Sequence, residues 1–177
     1  MKLVCINRVG GKKELSLNDV AYEKFSAHIG QFPAVMVAPD DIELIAGGSE
    51  ERRRFMDTVL SQMDAEYLQK LIEYNKVLLQ RNSLLKRFAE QGTTDWALLE
   101  VLDEQLVQPG TFIHQRRKAF TESLIPLVEQ FYGQIAGKQE TISLQYSSQL
   151  NETGFFDLLN HVRQKDFILQ RSNAGIH

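Results

Sequence analysis

The sequence predicts an α+β fold that is mostly α-helical, organised around an antiparallel, coiled-coil-like helical hairpin. Short segments of β-type residues occupy positions 1–37. A heptad-like series of apolar residues then runs from Tyr67 to Phe88, and a second apolar stripe begins shortly after Gly92. A short turn between two long amphipathic helices is typical of an antiparallel pair. The expected units are therefore residues 1–48 (a small β/α segment), 49–137 (the helical arm) and 138–177 (strand, helix, strand).

Three short strands are expected in the first unit. Residues 2–7 and 13–17 have strand-like composition, and the Gly10-Gly11 pair between them suits a turn. The apolar run 34–37 is the third expected strand, which Pro39 ends. These strands are too short to form an independent sheet with a good core.

A helix is expected over residues 49–63. Gly47-Gly48 stops a preceding short helix, and Ser49 is the expected N-cap of the new one. Its buried face is expected to pass through Phe55, Val59 and Met63, which follow at intervals of four residues.

The arm consists of two long helices with one polar exception in the seam. Arg81 occupies a seam position, where it either reaches a carboxylate on the opposing helix or extends its charge out to solvent. The return helix contains Pro109 and Pro126, each of which removes a backbone donor, so two helices or one kinked helix are expected there. The seam residues are Tyr67, Leu71, Tyr74, Leu78, Arg81, Leu85 and Phe88, facing Leu99, Leu102, Leu106, Ile113, Phe120 and Leu127.

The last unit is expected to contain a strand at 141–146, a helix at 153–163 and the start of a strand at 166–169. Asp64 and Thr94 are the expected N-caps of the two arm helices.

Composition narrows the functional classes. The net charge of −3 is not that of a strongly basic nucleic-acid binder, so any DNA contact must come from local clusters. The single cysteine fits a reducing cytoplasm, and the four scattered histidines lack the spacing of a metal site. No apolar run approaches the ~20 residues of a membrane span.

The motif APDDIELIAGGSEERRRFMD, residues 38–57, resembles the central motif of the RecF family, bacterial recombination and replication-repair ATPases of the SMC/ABC type. The resemblance covers nearly the whole chain. Further matching positions are Tyr74, residues 80–86, Trp96, residues 103–106, Arg116 and Arg117.

The resemblance implies the functional setting of a longer parent protein. Such a parent binds ATP with Mg²⁺ at a dimer interface and binds DNA at junctions between single and double strands. It works with RecO and RecR in cytoplasmic gap repair, recombination, replication restart and the SOS response. In this setting the hairpin is a lever arm, and the short strands belong to the edge of the ATPase head.

The nucleotide-binding motifs of this family are not found in the sequence. No G-x-x-x-x-G-K-[ST] run occurs, because Gly10-Gly11-Lys12-Lys13 has the wrong spacing and is followed by Glu14. There is also no Ser/His/Asp arrangement. The chain is therefore expected to be an internal, non-enzymatic piece of the parent, without catalytic or metal-binding residues. The alternative is a structural module whose coiled-coil hairpin is its whole function.

The candidate binding residues each have two interpretations. Arginines suit phosphate because the planar guanidinium grips two oxygens, but they also pair with neighbouring carboxylates on helix faces. Adjacent aspartates at a helix start either cap the helix or lie near a nucleotide and its Mg²⁺. The DNA or phosphate candidates are Arg52, Arg53, Arg54, Lys86, Arg87, Arg116 and Arg117, and the nucleotide-proximal candidates are Asp40 and Asp41.

Overall fold

A three-stranded sheet and five α-helices make up the described part of the chain, residues 1–11, 13–137 and 140–176 of a computed structural model. The strands are β1 (Leu3–Ile6), β2 (Glu14–Leu17) and β3 (Val20–Ala21). The helices are α1 (Glu43–Ala46), α2 (Ser49–Met63), α3 (Ala65–Gln91), α4 (Trp96–Ile135) and α5 (Phe155–Leu169). Short 3₁₀ turns lie at Phe25–Ala27, Pro39–Ile42 and Gln149–Asn151.

The sheet is antiparallel, in the order β1-β2-β3, with Leu3 opposite Leu17. The first two predicted strands are thereby confirmed. Asn18 and Asp19 join β2 to β3 with φ angles of 50° and 66°. Asn and Asp tolerate this left-handed region better than most residues, which explains the tight turn.

The third predicted strand is wrong. Residues 34–37 have no strand pairing, and Val35, Met36 and Val37 are 93%, 84% and 86% exposed. A short apolar run becomes a strand only where a neighbouring strand can accept its backbone hydrogen bonds. The described residues offer no such strand beside it.

Helix α2 has the predicted bounds but a different start and buried face. Gly48 rather than Ser49 is its N-cap, with extended backbone and no side-chain capping bond. Leu60 is buried, whereas Phe55 is 39% and Met63 73% exposed. The expected face is therefore wrong at Phe55 and Met63, because α2, which packs against both α3 and α4, buries Leu60 and Ser61 instead.

The predicted antiparallel hairpin is confirmed by α3 and α4, which form the most extensive helix pair. Asp64 caps α3 by accepting hydrogen bonds from the backbone N–H groups of Glu66 and Tyr67 at 2.9 and 3.1 Å. Gly92, with φ of 64°, ends α3 in the left-handed conformation that glycine favours. Asp95, rather than Thr94, caps α4.

Helix α4 runs without interruption through both prolines, so the expectation of two separate helices is wrong. Pro109 is fully buried, and the adjacent Gly110 lets α5 approach closely. A Cβ atom at position 110 would overlap the Phe155 ring and lie 3.1 Å from Tyr74 Cε2. The surrounding packing thus overrides the tendency of proline to break a helix.

The last part of the chain is helical rather than mixed. The predicted strand at 141–146 has no strand pairing, and residues 166–169, expected to start a strand, belong to α5. After α5 the chain continues as a strap, residues 170–176, in which Ala174, Gly175 and Ile176 are buried. The strap packs into the same core as the arm.

Candidate nucleic-acid interface

The three consecutive arginines of α2 have different environments. Arg54 is 67% exposed at its side chain and pairs with Glu50 at 3.6 Å and Glu51 at 3.4 Å. Arg52 donates through Nη1 to the backbone oxygens of Leu44 and Gly47, at 3.1 and 3.0 Å. Arg52 therefore ties the first turn of α2 to the end of α1.

Arg53 is partly buried and forms no ion pair with any residue that the structure describes. Arg53 lies about 100° around the helix from Arg54, and the ion pairs of Glu50 and Glu51 among the described residues are with Arg54. Arg53 lines a groove instead, together with Arg52.

This α2 groove has a volume of about 490 Å³ and lies between the first turns of α2, helix α4, the segment 144–149 and the strap. Its charged lining residues are two arginines, and no Asp or Glu is among the described residues that line it. Its uncharged polar lining residues are Ser49, Thr121, Gln145, Tyr146, Ser147, Ser148 and Gln149, and its apolar lining includes Phe55, Met56, Leu124, Leu144 and Ile176.

Arg117, a sequence candidate for DNA contact, is 3% exposed and serves the fold. Its Nε and Nη2 atoms donate to the two carboxylate oxygens of Asp57, both at 2.9 Å, and Nη1 donates to the backbone oxygen of Ile176. The hydroxyl of Tyr67 donates to the same carboxylate. Arg117 thus joins α4 to α2 and to the strap, and it is not part of an exposed basic strip.

The electrostatics of this cluster follow from its burial. Desolvation raises the pKa of Tyr67, and the hydrogen bond to Asp57 adds to the increase. Desolvation alone would lower the pKa of Arg117, but the Asp57 carboxylate outweighs that effect and raises it. The cluster therefore holds a neutral phenol and a charged guanidinium–carboxylate pair.

Arg81 forms a second buried network, and of the two alternatives expected for it the structure shows the first, a carboxylate on the opposing helix. Its Nε donates to Asp103 of α4 at 2.6 Å, and its Nη1 donates to Asp166 of α5 at 2.7 Å. All three side chains are fully buried. Nη1 also donates to Ser172 Oγ at 2.8 Å, so Arg81 fastens α4, α5 and the strap to α3.

The other basic candidates do not meet at one surface. Arg116 pairs with Asp64 at 3.3 Å and lies over the Phe112 ring, 5.0 Å from its centroid. Lys86 and Arg87 are exposed on α3. At 1.5 Å per residue they lie on the order of 30 Å along α3 from Asp64, so the three do not form one patch.

Asp40 and Asp41 lie in the 3₁₀ turn before α1, and Asp41 has a capping contact. Its Oδ2 accepts a hydrogen bond from the backbone N–H of Ala38 at 2.7 Å. Among the described residues no group of three or more His, Cys, Asp or Glu side chains could hold a metal ion. The part of the chain that the structure covers also contains no helix with the length and apolarity to cross a membrane.

Sequence reasoning missed the acidic partners of the two buried arginines. In the sequence, Asp57, Asp103 and Asp166 look like ordinary aspartates on a helix surface. The one available signal was Arg81 itself, since a charge inside an apolar seam requires a partner.

The helical arm with its small sheet is an architecture that is also found in solved structures of other proteins. Two solved structures of the recombination mediator protein RecF in the RecFOR pathway share the fold. The ATP form has a TM-score of 0.84 at 29% identity, covering 97% of this chain and 48% of that one. The ATPγS form has a TM-score of 0.89 at 28% identity, covering 99% and 49%.

Curated relatives that match the chain in sequence are also RecF proteins. The chain is 44% identical over 176 residues to the DNA replication and repair protein RecF of Flavobacterium johnsoniae and 43% identical to that of Parabacteroides distasonis. The chain is therefore a homologue of RecF. It spans about half the length of these relatives, 49% and 47%, while 99% of it is aligned. No protein-family model matches the chain.

Proposed function

We propose that the chain supplies the helical arm of a RecF-like protein that binds DNA in an ATP-dependent manner. The observation that carries this proposal is the agreement of fold with RecF in its ATPγS form, at a TM-score of 0.89 over 99% of the chain. The chain itself is proposed to be non-catalytic. ATP and Mg²⁺ are held, in this proposal, by a parent that contains sequence beyond the matched half.

The buried arginines suit the arm to the transmission of movement. Arg81 and Arg117 connect the strap to α3 and α4 by hydrogen bonds from guanidinium groups that are almost fully buried. Buried, charge-assisted hydrogen bonds of this kind hold their partners in one geometry. A shift of the strap would therefore move the whole hairpin, which is how a nucleotide-dependent change elsewhere could reach DNA or a partner protein.

The finer parts of the proposal are those that the resemblance to the RecF family implies. The parent forms an ATP-dependent homodimer, binds junctions between single- and double-stranded DNA, and acts with RecO and RecR in the cytoplasm. Asp40 and Asp41 lie near the nucleotide, and exposed basic residues of the arm contact phosphate. Arg52, Arg53, Lys86, Arg87 and Arg116 remain candidates for that contact.

The proposal is tested by extending the sequence and by measuring assembly. The complete coding sequence should contain a phosphate loop before these residues and a signature motif after them. Sedimentation velocity of the full-length protein should show a dimer with ATP and Mg²⁺ and a monomer with ADP. A full-length protein that lacks both motifs and does not change its assembly with ATP would favour the alternative, a non-enzymatic coiled-coil interaction module.

A further inference from the structure

The α2 groove combines uncompensated positive charge with an exposed aromatic ring. Arg54 is neutralised by two glutamates on its own helix, whereas Arg53 has no ion pair among the described residues. Phe55, two residues further on, lines the same groove and keeps 39% of its surface exposed. A cation and an aromatic face next to each other are the two elements that a single nucleic-acid strand requires.

The position of the groove on α2 adds further donors. Gly48 provides no side-chain capping bond, so the first backbone N–H groups of α2 have no capping oxygen. Ser147 and Ser148, from the segment 144–149, also line the groove. Because no acidic side chain lines the groove among the described residues, an entering phosphate meets donors and positive charge without a repelling carboxylate.

The hydrogen bonds of Arg117 to Asp57 and to the Ile176 carbonyl hold the groove open. Arg117 fixes one wall, the strap, through the Ile176 carbonyl, and the other wall, α2, through Asp57. Both walls are thereby held at a set separation, and a preformed site does not require ordering when the ligand binds.

We propose that the α2 groove is a subsite for single-stranded DNA, with Arg53 contacting a backbone phosphate and Phe55 stacking against the adjoining base. This assignment rests on the proposed function, because it gives the DNA-binding parent a contact point for the unpaired strand. A volume of about 490 Å³ accommodates a nucleotide unit rather than a duplex. The segment 144–149 closes one side, so the strand passes along the groove towards the exposed start of α2.

The test uses the full-length protein, a fluorescein-labelled oligothymidylate and fluorescence anisotropy over a range of salt concentrations. Arg53→Gln should weaken binding about tenfold and reduce the slope of log affinity against log salt by about 0.7, the loss of one phosphate contact on a single strand. Arg54→Gln is the matched control, and it should stay within about twofold of the parent. Phe55→Leu should weaken binding about tenfold with an unchanged salt slope, because stacking is lost and charge is not.

Equal effects of Arg53→Gln and Arg54→Gln would overturn the assignment. A lower melting temperature of Arg53→Gln together with an unchanged DNA affinity would also overturn it, because another part of the protein would then fill the groove. Loss of ATP binding in Arg53→Gln, measured with a fluorescent ATP analogue, would indicate that Arg53 contacts a phosphate of the nucleotide rather than of DNA. This result would also refute the assignment. Failure of the parent itself to bind any DNA would instead refute the proposed function, and this assignment with it.

Discussion

Replacement of Arg81 by methionine is the sharpest test of the buried network. The variant removes the guanidinium but keeps an unbranched apolar side chain of similar length. It leaves Asp103 and Asp166, both with no exposed side-chain surface, without their principal cation. Arg163 still donates to Asp103 at 3.2 Å, and the backbone and side-chain N–H groups of Asn173 still donate to Asp166 at 2.8 and 3.0 Å, so neither carboxylate loses all its donors.

Removing one partner of a buried ion pair costs about 3–5 kcal/mol, because the remaining charge stays desolvated. A domain is stabilised by only about 5–15 kcal/mol in total, so Arg81→Met should lose a large fraction of its free energy of unfolding. Guanidinium chloride titrations of the chain, followed by far-UV circular dichroism, measure this loss. The control is Arg87→Met on the exposed side of the same helix, which should change stability by no more than about 0.5 kcal/mol. A loss below about 1 kcal/mol in Arg81→Met would refute the network as described.

Three further predictions concern packing, pH and nucleotide. Gly110→Ala should destabilise the chain by about 1–3 kcal/mol through overlap with Phe155, whereas Gly133→Ala on the same helix, with open space around it, should stabilise it by up to about 1 kcal/mol in the same denaturant titrations. Burial lowers the pKa of His114 below its usual 6.5, and the nearby charges of Lys118 and Arg117 lower it further. The contribution of neutral His114 to the free energy of unfolding should therefore be fully present above pH 6.5 and should decline as the pH falls towards the folded-state pKa. Melting temperatures between about pH 8 and 5 measure this, and His114→Gln should flatten the acid side; an equally steep decline in the variant would assign it to other groups. The sequence contains no phosphate loop, so isothermal titration calorimetry should detect no micromolar ATP binding by the 177-residue chain. A clear binding isotherm would contradict this expectation.

The arm was predictable because its signals are local and periodic. The seam from Tyr67 to Phe88 and the break at Gly92 establish two helices and their antiparallel arrangement. Of the two outcomes expected at Pro109, two separate helices is wrong, because the effect of a proline depends on what packs against the helix. Phe155, some forty-five residues further along the chain, packs at Gly110 and supports the continuous helix.

The short strands show the opposite limit. Residues 34–37 and 141–146 have β-type composition but no pairing among the described residues, since strand formation depends on a neighbour that composition does not reveal. In the candidate site, the sequence shows a cluster of three arginines, but it does not show that the three have different contacts. Only the structure separates Arg53, which lines the groove, from Arg54, which pairs with Glu50 and Glu51.

The most direct test of the central claim is the binding of full-length protein to a partial duplex with a single-stranded extension, measured by fluorescence anisotropy with ATP and Mg²⁺ and again with ADP. An ATP-dependent DNA-binding protein of the RecF type should bind this junction more tightly with ATP, and should prefer it to a blunt duplex of the same length. Equal affinity with ATP, with ADP and without nucleotide would contradict the account.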